Sequence, residues 1–300
     1  MPGIRYRAAG NHLRRMVPVA AVMVACTVCA NPGPTDALRA DGARIEMEAG
    51  AEARIGGIAV GGGADAVDLV ERRLEARFAI RPVSSVEVAV AMPTLFRSFN
   101  RAGARWSTVE PGDLDLQLNA TLYQDRSPLS HAVFMTSLLK FPTAPVALDP
   151  DGAMLESILQ PGCSSVVPSL GGGYELGWSV VSFQFNAALL VPIVVREAPH
   201  RGTSFRQTST VRARPATGLA FTAGWTWLLE AVGQDQFDAI EENSGGTTGY
   251  VSAGVEAGRP GVLVAAVGLD LPAVTFLRGE QQPTPIGFAR LTFGWDAPDP

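Results

Sequence analysis

Lysine and cysteine are scarce in this sequence, and charge of either sign is low. Lys140 is the one lysine among 24 basic residues, three cysteines occur in 300 residues, and charged residues make up 18% of the chain. Three cysteines are too few for a disulfide scaffold, and the scarcity of lysine excludes a coiled coil. With 47% hydrophobic residues, the chain is too apolar to be intrinsically disordered. The net charge of −5 argues against nucleic acid as a partner.

The first 30 residues have the pattern of a secretory signal peptide. Arginines at positions 5, 7, 14 and 15, with no acid among them, precede an uncharged run from Met16 to Ala30. A basic segment followed by a short apolar one is typical of export signals. At roughly 15 residues, the run is too short to cross a bilayer as a helix. We therefore predict that residues 1–30 direct export and that residues 31–43 form a short periplasmic lead.

Two ways of processing this segment stay open. The small residues of Val28-Cys29-Ala30 predict cleavage before Asn31. Met23-Val24-Ala25-Cys26 resembles a lipobox, which would make Cys26 the lipidated N-terminus of a lipoprotein. Either route predicts an exported protein of the cell envelope.

Alternation with a period of two dominates the rest of the chain. From Leu114 to Leu122 the even positions are apolar and the odd positions are polar. Because successive side chains of a strand point to opposite faces, this pattern predicts a strand with one apolar face. The pattern recurs along the chain. The predicted strands are residues 44–55, 67–80, 85–93, 113–123, 131–141, 168–178, 182–193, 204–214, 218–230, 248–258, 262–272 and 287–295.

The predicted strands and their connections together favour a transmembrane barrel. Most strands exceed the usual five or six residues of globular proteins and suit the roughly 9–11 residues that cross a bilayer. Long and short connections alternate, as in outer-membrane barrels with long extracellular loops, short periplasmic turns and an even strand count. The long connections are 56–66, 94–112, 142–167, 194–203, 231–247 and 273–286. We predict an all-β protein, a transmembrane antiparallel up-and-down β-barrel of about twelve strands. It covers residues 44–295, and residues 296–300 form a C-terminal tail; a secreted two-sheet sandwich is the alternative.

Aromatic residues near strand ends suit the interfacial girdles of such a barrel. They are Phe141, Tyr174, Trp178, Phe183, Trp225, Trp227, Tyr250 and Trp295. From the alternation of apolar and polar positions, Leu118 and Val264 are predicted to face lipid, and Asn119 the lumen.

Charged residues occupy the polar face of the predicted strands, which points into a membrane barrel. Strand 204–214 carries arginines without acids on that face, and strand 113–123 carries acids without bases. This predicts a positive wall and a distant negative wall, which would orient polar solutes. A lattice of salt bridges that braces the wall is the structural alternative. The candidate lumen residues are Glu46, Glu48, Glu75, Arg77, Asp113, Asp115, Arg206, Arg212, Arg214, Glu256 and Arg290.

Motifs for catalysis or cofactor binding are missing from the sequence. His12 lies in the signal segment, and His131 and His200 have no cysteine or carboxylate at ligand spacing, so no metal site is predicted. No Gly-x-Ser-x-Gly nucleophile elbow occurs, and the glycine runs lack the lysine of a phosphate loop. We predict that the protein is not an enzyme and has no cofactor. Its predicted partners are outer-membrane lipid and a small-molecule solute.

Four stretches of the sequence together resemble a family of outer-membrane proteins. They are Leu138–Thr143, with an apolar-Pro-Thr strand end; Gln160–Tyr174, a glycine-rich loop entering a strand; Asn243–Ser252, an Asn-x-Gly-Gly loop and strand; and Asp270–Gln282, ahead of a Phe-rich last strand. The family comprises proposed transporters associated with degradation of aromatic compounds through the phenol meta-pathway. The likeness spans residues 85–295. It implies a barrel pore for small, often hydrophobic molecules and transfers no catalytic residues.

Two functions therefore stay open for a barrel in the outer membrane of a Gram-negative-type cell. The first is a channel or transporter for small solutes, hydrophobic or aromatic ones included. The second is a non-transporting envelope barrel that acts as a surface-binding or structural module, with loops 94–112 and 142–167 as its contact surface.

Overall fold

The computed structural model describes residues 46–62, 66–83, 85–125, 128–194, 197–235, 237, 239–259 and 262–296. The predicted signal peptide, the lipidation site at Cys26 and the short lead lie outside the described residues.

Twelve antiparallel strands form the wall of the molecule. They are β1 (Glu46–Val60), β2 (Val67–Val83), β3 (Val86–Arg101), β5 (Leu114–Asp125), β6 (Leu129–Phe141), β7 (Ser165–Trp178), β8 (Val181–Leu190), β10 (Ser204–Ala216), β11 (Leu219–Glu230), β12 (Gly246–Arg259), β13 (Leu263–Leu277) and β15 (Ile286–Asp296). Three accessory strands extend it. They are β4 (Ala104–Pro111), β9 (Ile193–Val194) and β14 (Gln281–Pro283).

The wall closes on itself through its first and last strands. β1 pairs with β2 along its full length and with β15 on its other side, from Glu46↔Asp296 to Ile55↔Gly287. The other wall strands pair with their neighbours in chain order. Closure leaves no wall strand at a sheet edge, which is what backbone hydrogen bonding in lipid requires. The predicted fold class, an all-β antiparallel barrel of twelve strands, is confirmed.

The predicted long loop at residues 94–112 is wrong. β3 continues to Arg101, turns at Ala102 and Gly103, and returns as β4, which pairs with β3 from Thr94 to Arg101. Pro93 cannot donate to a ladder, yet it does not end the strand. Its carbonyl instead accepts from the Gly112 amide at 2.8 Å, and the hairpin continues beyond it.

Burial alternates along the wall strands with the predicted period. On β2, Glu71 and Glu75 are buried, whereas Leu74 and Phe78 between and beyond them are exposed. The charged face is therefore the inner one, and the apolar face is presented to the surroundings, as a membrane-spanning barrel requires. Leu118 lies on the outer face as predicted. Val264 does not: it pairs with inward-facing Thr292 and points into the barrel.

Aromatic side chains follow the predicted outer face with one exception. Trp178, Trp225 and Trp295 are 70%, 44% and 42% exposed on the outside of the wall. Tyr250 was predicted to join them but lies inside, 7% exposed, where it packs with Leu228 and Ile286. The β12–β13 register shifts between Gly249 and Tyr250 through an extra residue on β13, so the alternation of β12 is unbroken and places Tyr250 on the inner face with Ser252 and Gly254.

Helical structure is minimal in the described ranges. The 3-10 turn Ser157–Leu159 is the one helical segment there. No helix of those ranges is long and apolar enough to cross a membrane.

Candidate functional site: the barrel interior and its inserted loop

The interior differs between two groups of neighbouring strands. We call β2, β3, β5 and β6 the packed wall, and β8, β10, β11, β12, β13 and β15 the open wall; β1 and β7 join the two. Charged side chains of the packed wall lie in direct ion pairs beneath a long loop. A cavity lies along the open wall.

A charged network ties the strands of the packed wall together at its short-turn end. Arg77 donates to Glu48 at 2.8 Å and to Glu87 at 2.6 Å, and Arg81 donates to Glu87 at 2.8 Å. The Asn119 amide also donates to Glu87, at 3.0 Å. The network links β1, β2, β3 and β5, so its charges are neutralised locally.

Two further groups of ion pairs are buried more deeply in the packed wall. Lys140 Nζ lies 2.5 Å from Asp115 Oδ1, with both side chains nearly inaccessible. Arg97, which is fully buried, lies 3.2 Å from Glu71 and 3.1 Å from Glu110. Each such pair makes ionised groups tolerable in a dry interior, because either partner alone would be an uncompensated buried charge.

These pairs overturn the predicted separation of charge. Asp115 was predicted to have no base beside it, but Lys140 is its direct neighbour on β6. Arg212 was predicted to have no acid, but it forms an ion pair with Glu256 of β12, two strands away. Both faces point inward as predicted, yet opposite charges meet because neighbours in a sheet come from other strands, not from the same one.

Residues 142–164, which we call the inserted loop, fold back into the mouth of the barrel. Leu155, Ile158 and Leu159 pack against inward-facing Ile58 and Leu69 of β1 and β2, and all five side chains are buried. Burial of this much aliphatic surface is worth on the order of 1.5–3 kcal/mol per side chain. The hydrophobic effect therefore holds the loop inside, although residues 151–154 remain exposed.

Polar contacts fix the inserted loop to both walls. Arg97 of β3 donates to the Leu159 carbonyl, and Arg201, just before β10, donates to the Ile158 carbonyl at 3.3 Å. Within the loop, the Gln160 side chain accepts from an amide across the loop at 2.8 Å and donates to a carbonyl five residues earlier at 2.5 Å. The loop is thus a structured part of the interior.

Asp113 holds the two ends of the inserted loop together. Its carboxylate accepts from the Ala144 amide at 3.2 Å and from the Cys163 amide at 2.7 Å. Gly162 passes so close that a Cβ there would lie 2.3 Å from Asp113 Oδ1 and 2.7 Å from the Ala144 methyl. Only glycine fits at position 162 without displacing the loop.

The loop at residues 231–245 also holds the inserted loop in place, through hydrogen bonds to Ser157. The Glu241 carboxylate accepts from the Ser157 amide at 2.9 Å and from the Ser157 hydroxyl. Burial raises the pKa of Glu241 above its ordinary value of 4.5, against the opposing effect of the Ser157 hydrogen bonds. Arg201 and Glu156 act on it more weakly and in opposite directions.

The cavity along the open wall has a volume of about 170 Å³. Its lining includes hydroxyl and amide side chains, four arginines, two acids and one aromatic ring. Small inward residues make room for it: Gly224 pairs with Ser252, Gly254 with Gly268, and Gly268 with Phe288 in adjacent strands. On the packed wall the corresponding space is filled by long charged side chains and by the inserted loop.

Two arginines share one carboxylate in this cavity. Arg212 forms an ion pair with one oxygen of Glu256, and Arg290 lies 3.5 Å from the other. Ala266 is paired with Glu256 on one side and with Arg290 on the other, and its small side chain leaves the gap across which they approach.

Nine of the eleven predicted lumen residues lie in three places. Arg206, Arg212, Glu256 and Arg290 come together at the cavity. Glu48, Glu75, Arg77 and Asp115 lie in ion pairs of the packed wall or its border with β1, Glu75 with Arg73. Asp113 anchors the inserted loop. Glu46 is the first residue of β1, and the Arg214 amide bonds to the Val180 carbonyl near a short turn.

Several interior charged residues escaped the sequence analysis. Glu87 sits at an inward position beside the small inward residues Ala89 and Ala91, so period-two counting could have found it. Arg97 was assigned to a loop that proved to be β3. Glu241 and Arg201 lie in connections between strands, where no alternation of apolar and polar residues exists. Only the tertiary fold shows that they reach the interior.

Comparison with known proteins agrees with this architecture. No protein-family model matches the chain, and no curated protein matches it in sequence. The crystal structure of an outer membrane channel from Pseudomonas putida F1 aligns with a TM-score of 0.66, at 11% identity, over 89% of this chain and all of that one. The fold is that of an outer membrane β-barrel.

Two other barrels align less closely. The transport unit of the autotransporter AIDA-I from Escherichia coli reaches a TM-score of 0.47, at 10% identity, over 85% of this chain and 92% of that one. The porin NanC reaches 0.46, at 10% identity, over 82% and 98%. These scores are too low to support any finer comparison. In the part of the chain that the structure describes, no cluster of three or more potential ligands could hold a metal ion.

Proposed function

We propose that this barrel is an outer-membrane channel for small solutes. The observation that carries the proposal is the cavity of about 170 Å³ inside a closed wall, lined by polar side chains on seven of the twelve strands. Eight-stranded barrels are just filled by their own side chains, and sixteen-stranded barrels enclose an aqueous channel. Twelve strands with one packed side leave a narrow passage, which favours small molecules.

We further propose that the solutes are hydrophobic or aromatic molecules. The resemblance to transporters linked with aromatic degradation supports them. So does the size of the cavity, since an engineered cavity of about 150 Å³ in another protein holds benzene. The ring of Phe288 lines the cavity and offers an apolar surface to such a solute.

The proposed location follows from the fold and from the export signal. The apolar outer face, with tryptophans at its borders, is suited to the outer membrane of a Gram-negative-type cell. Export through residues 1–30 would bring the chain there. By the usual topology, the inserted loop and the β3–β4 hairpin lie outside and the short turns lie in the periplasm.

Conductance of the purified protein in planar bilayers tests the channel directly. We expect small, discrete steps in wild-type protein. Ala266→Phe places a ring in the cavity and should remove most of the conductance. The matched control Ala265→Phe changes the neighbouring residue on the outer face and should leave conductance intact. Equal conductance in both variants would show that solutes do not pass through this cavity.

A non-transporting structural barrel is the second candidate, and the inserted loop favours it. Arg97, Asp113, Arg201 and Glu241 all hold that loop inside the mouth. A barrel that this loop keeps closed would not conduct in the wild type, and would conduct only when Gly162→Ala displaces the loop. Conductance of the wild-type protein would exclude this candidate.

A further inference from the structure

We propose that the cavity of the open wall binds uncharged solutes through a carboxamide or a similar group that both donates and accepts hydrogen bonds, in preference to anions and cations of the same shape. The inference rests on the channel function, because it names the solute class for the same cavity. Binding can be measured on the protein in detergent, so the inference is tested separately from transport.

An uncharged row of inward residues, which we call the neutral row, crosses the cavity. It runs through the neighbouring strands β8, β10, β11 and β12 and consists of Gln184, Thr210, Gly224 and Ser252. All four residues line the cavity. Gly224 leaves the Thr210 hydroxyl uncovered, since a Cβ at position 224 would lie 3.2 Å from that oxygen. One amide and two hydroxyl groups therefore lie side by side in the lining without a charge among them.

Gln184 has a hydrogen-bond donor that the protein leaves unused. Its Nε2 atom is buried and has no acceptor among the described residues. A buried donor without an acceptor is destabilising, and a solute oxygen that accepts from it removes that penalty. The terminal torsion of glutamine is soft, so the amide can turn toward a solute in the cavity. A carboxamide matches it, because each amide carries both donors and an acceptor.

The packed wall shows that this spare capacity is a local property. There the Gln117 amide donates to Asn119 at 3.1 Å, and the Asn119 amide donates to Glu87 at 3.0 Å. On β8, in contrast, Gln184 and Asn186 each have a buried amide atom that bonds to nothing within the described ranges. Open volume and unsatisfied amides thus coincide on the open wall.

Charges around the cavity are of both signs. Four arginines and two acids line it, and they are Arg54, Arg206, Arg212, Arg290, Glu256 and Asp270. Three more inward acids adjoin them. Glu52 hydrogen-bonds Arg54, Glu48 lies near Arg290, and Glu175 pairs with the first residue of the neutral row. These acids bring the two signs into near balance, so the cavity does not attract one kind of ion from solution.

The placement of the charges disfavours both kinds of organic ion at the neutral row. Glu175 pairs with its first residue and Asp270 with its last, so a carboxylate bound there would face an acid at each end. Arg212 is the next inward residue after Thr210 on β10 and would repel a bound cation. An ion would also lose its hydration without a matching counter-charge, which costs far more than desolvating an amide.

An apolar surface lies next to the neutral row. Ser252 and Gly254 are inward neighbours on β12, so their Cα atoms are about 7 Å apart. Gly254 pairs with Gly268, and the Phe288 ring lies over Gly268, where a Cβ would come within 2.4 Å of the ring. A solute with its carboxamide at the neutral row would place its apolar body against this ring.

Equilibrium dialysis of the full-length purified protein, with the same detergent in both chambers, tests the inference with three planar probes of one shape. Benzamide is neutral, benzoate is negative and benzamidinium is positive. We expect benzamide to bind at least about tenfold more tightly than either ion. An ion that binds as tightly as benzamide, or a failure of benzamide to bind, would overturn the inference. Toluene lacks a polar group, and equal binding of toluene and benzamide would overturn the role of the hydrogen bonds.

Two variants and a matched control assign the site. Gln184→Leu removes the amide, and Thr210→Val removes a hydroxyl at nearly constant shape. Each should weaken benzamide binding at least about threefold and leave toluene binding unchanged. Gln207→Leu removes an amide from the outer face of β10 and should change neither. Heat-dependent gel mobility shows which variants are folded, and unchanged benzamide binding in a folded form of either variant would contradict the proposed row.

Conductance separates this inference from the channel proposal. Preferential binding of benzamide without conductance in planar bilayers would support the site and overturn transport. Conductance without preferential binding of benzamide would support transport and overturn the site.

Discussion

The packed wall and the open wall are built on the same backbone ladder but enclose different interiors. Inward positions of the packed wall hold Arg97, Lys140 and their acids, which reach across to one another and to the inserted loop. Inward positions of the open wall include Gly224, Gly254 and Gly268, and a cavity takes up the space. Side-chain volume at inward positions, not strand pairing, decides which part of a barrel is filled.

We expect the largest loss of stability when one member of a buried ion pair is removed from the packed wall. Lys140→Met leaves the Asp115 carboxylate buried and unpaired, and we expect it to destabilise the barrel by about 3–5 kcal/mol. Urea titration of the folded barrel in lipid vesicles measures the loss. The matched variant Lys140→Met/Asp115→Leu removes both charges and should recover most of it. No recovery would mean that the wall depends on the ion pair itself.

Charge on the lipid face should have the next largest effect. Leu118→Arg places a guanidinium on the outer face of β5 and should cost about 2–4 kcal/mol if it lies near the bilayer midplane. Asn119→Arg, one residue along and facing inward, should cost clearly less. The same urea titration compares them. Equal costs would contradict the inside and outside assignment on which the two walls are defined.

The inserted loop is the part of the packed interior that can be displaced without breaking the wall. Gly162→Ala forces a methyl group against Asp113 and Ala144, which should destabilise the loop's position by about 1–3 kcal/mol. We expect larger conductance steps from the variant in planar bilayers. Asp151→Ala, in the exposed part of the same loop, is the control and should conduct like the wild type. If Gly162→Ala did so as well, the loop would not limit the passage.

The smallest expected effect concerns pH. Because burial raises the pKa of Glu241 more than the Ser157 hydrogen bonds lower it, the folded state favours the protonated acid. Its contribution to stability is therefore full at low pH, below the ordinary value of 4.5, and is lost as pH rises through the raised pKa. The inserted loop should open more often on that rise, seen as more frequent large conductance steps. Glu241→Gln should remove this dependence, and an unchanged pH profile in that variant would assign it to another group.

Sequence alone could supply the barrel because its signal is repeated twelve times. Leu118 and Asn119 are on the predicted sides, since alternation is unbroken around them. Val264 is on the other side from its prediction. It lies in the apolar run Leu263–Val267, where inward and outward residues look alike. The strand end predicted at residue 93 was wrong because β3 continues through Pro93 to Arg101 and pairs there with β4.

Partners across strands were beyond the reach of period-two reasoning. The sequence shows which residues of one strand share a face, but not which residue of the next strand lies beside them. Lys140 comes to Asp115, and Glu256 to Arg212, only through the register of the closed sheet. The predicted positive and negative walls failed for this reason.

Alternation along the chain, with its twelve strands and unequal connections, by itself determined the barrel, its apolar outer face and its charged inner face. A period of two is a property of neighbouring residues, so it needs no tertiary information. Tertiary structure decided the pairing of the charges, the descent of residues 142–164 into the mouth and the cavity beside them. These depend on residues far apart in sequence, such as Glu241 and Ser157, which the closed wall brings within hydrogen-bond distance.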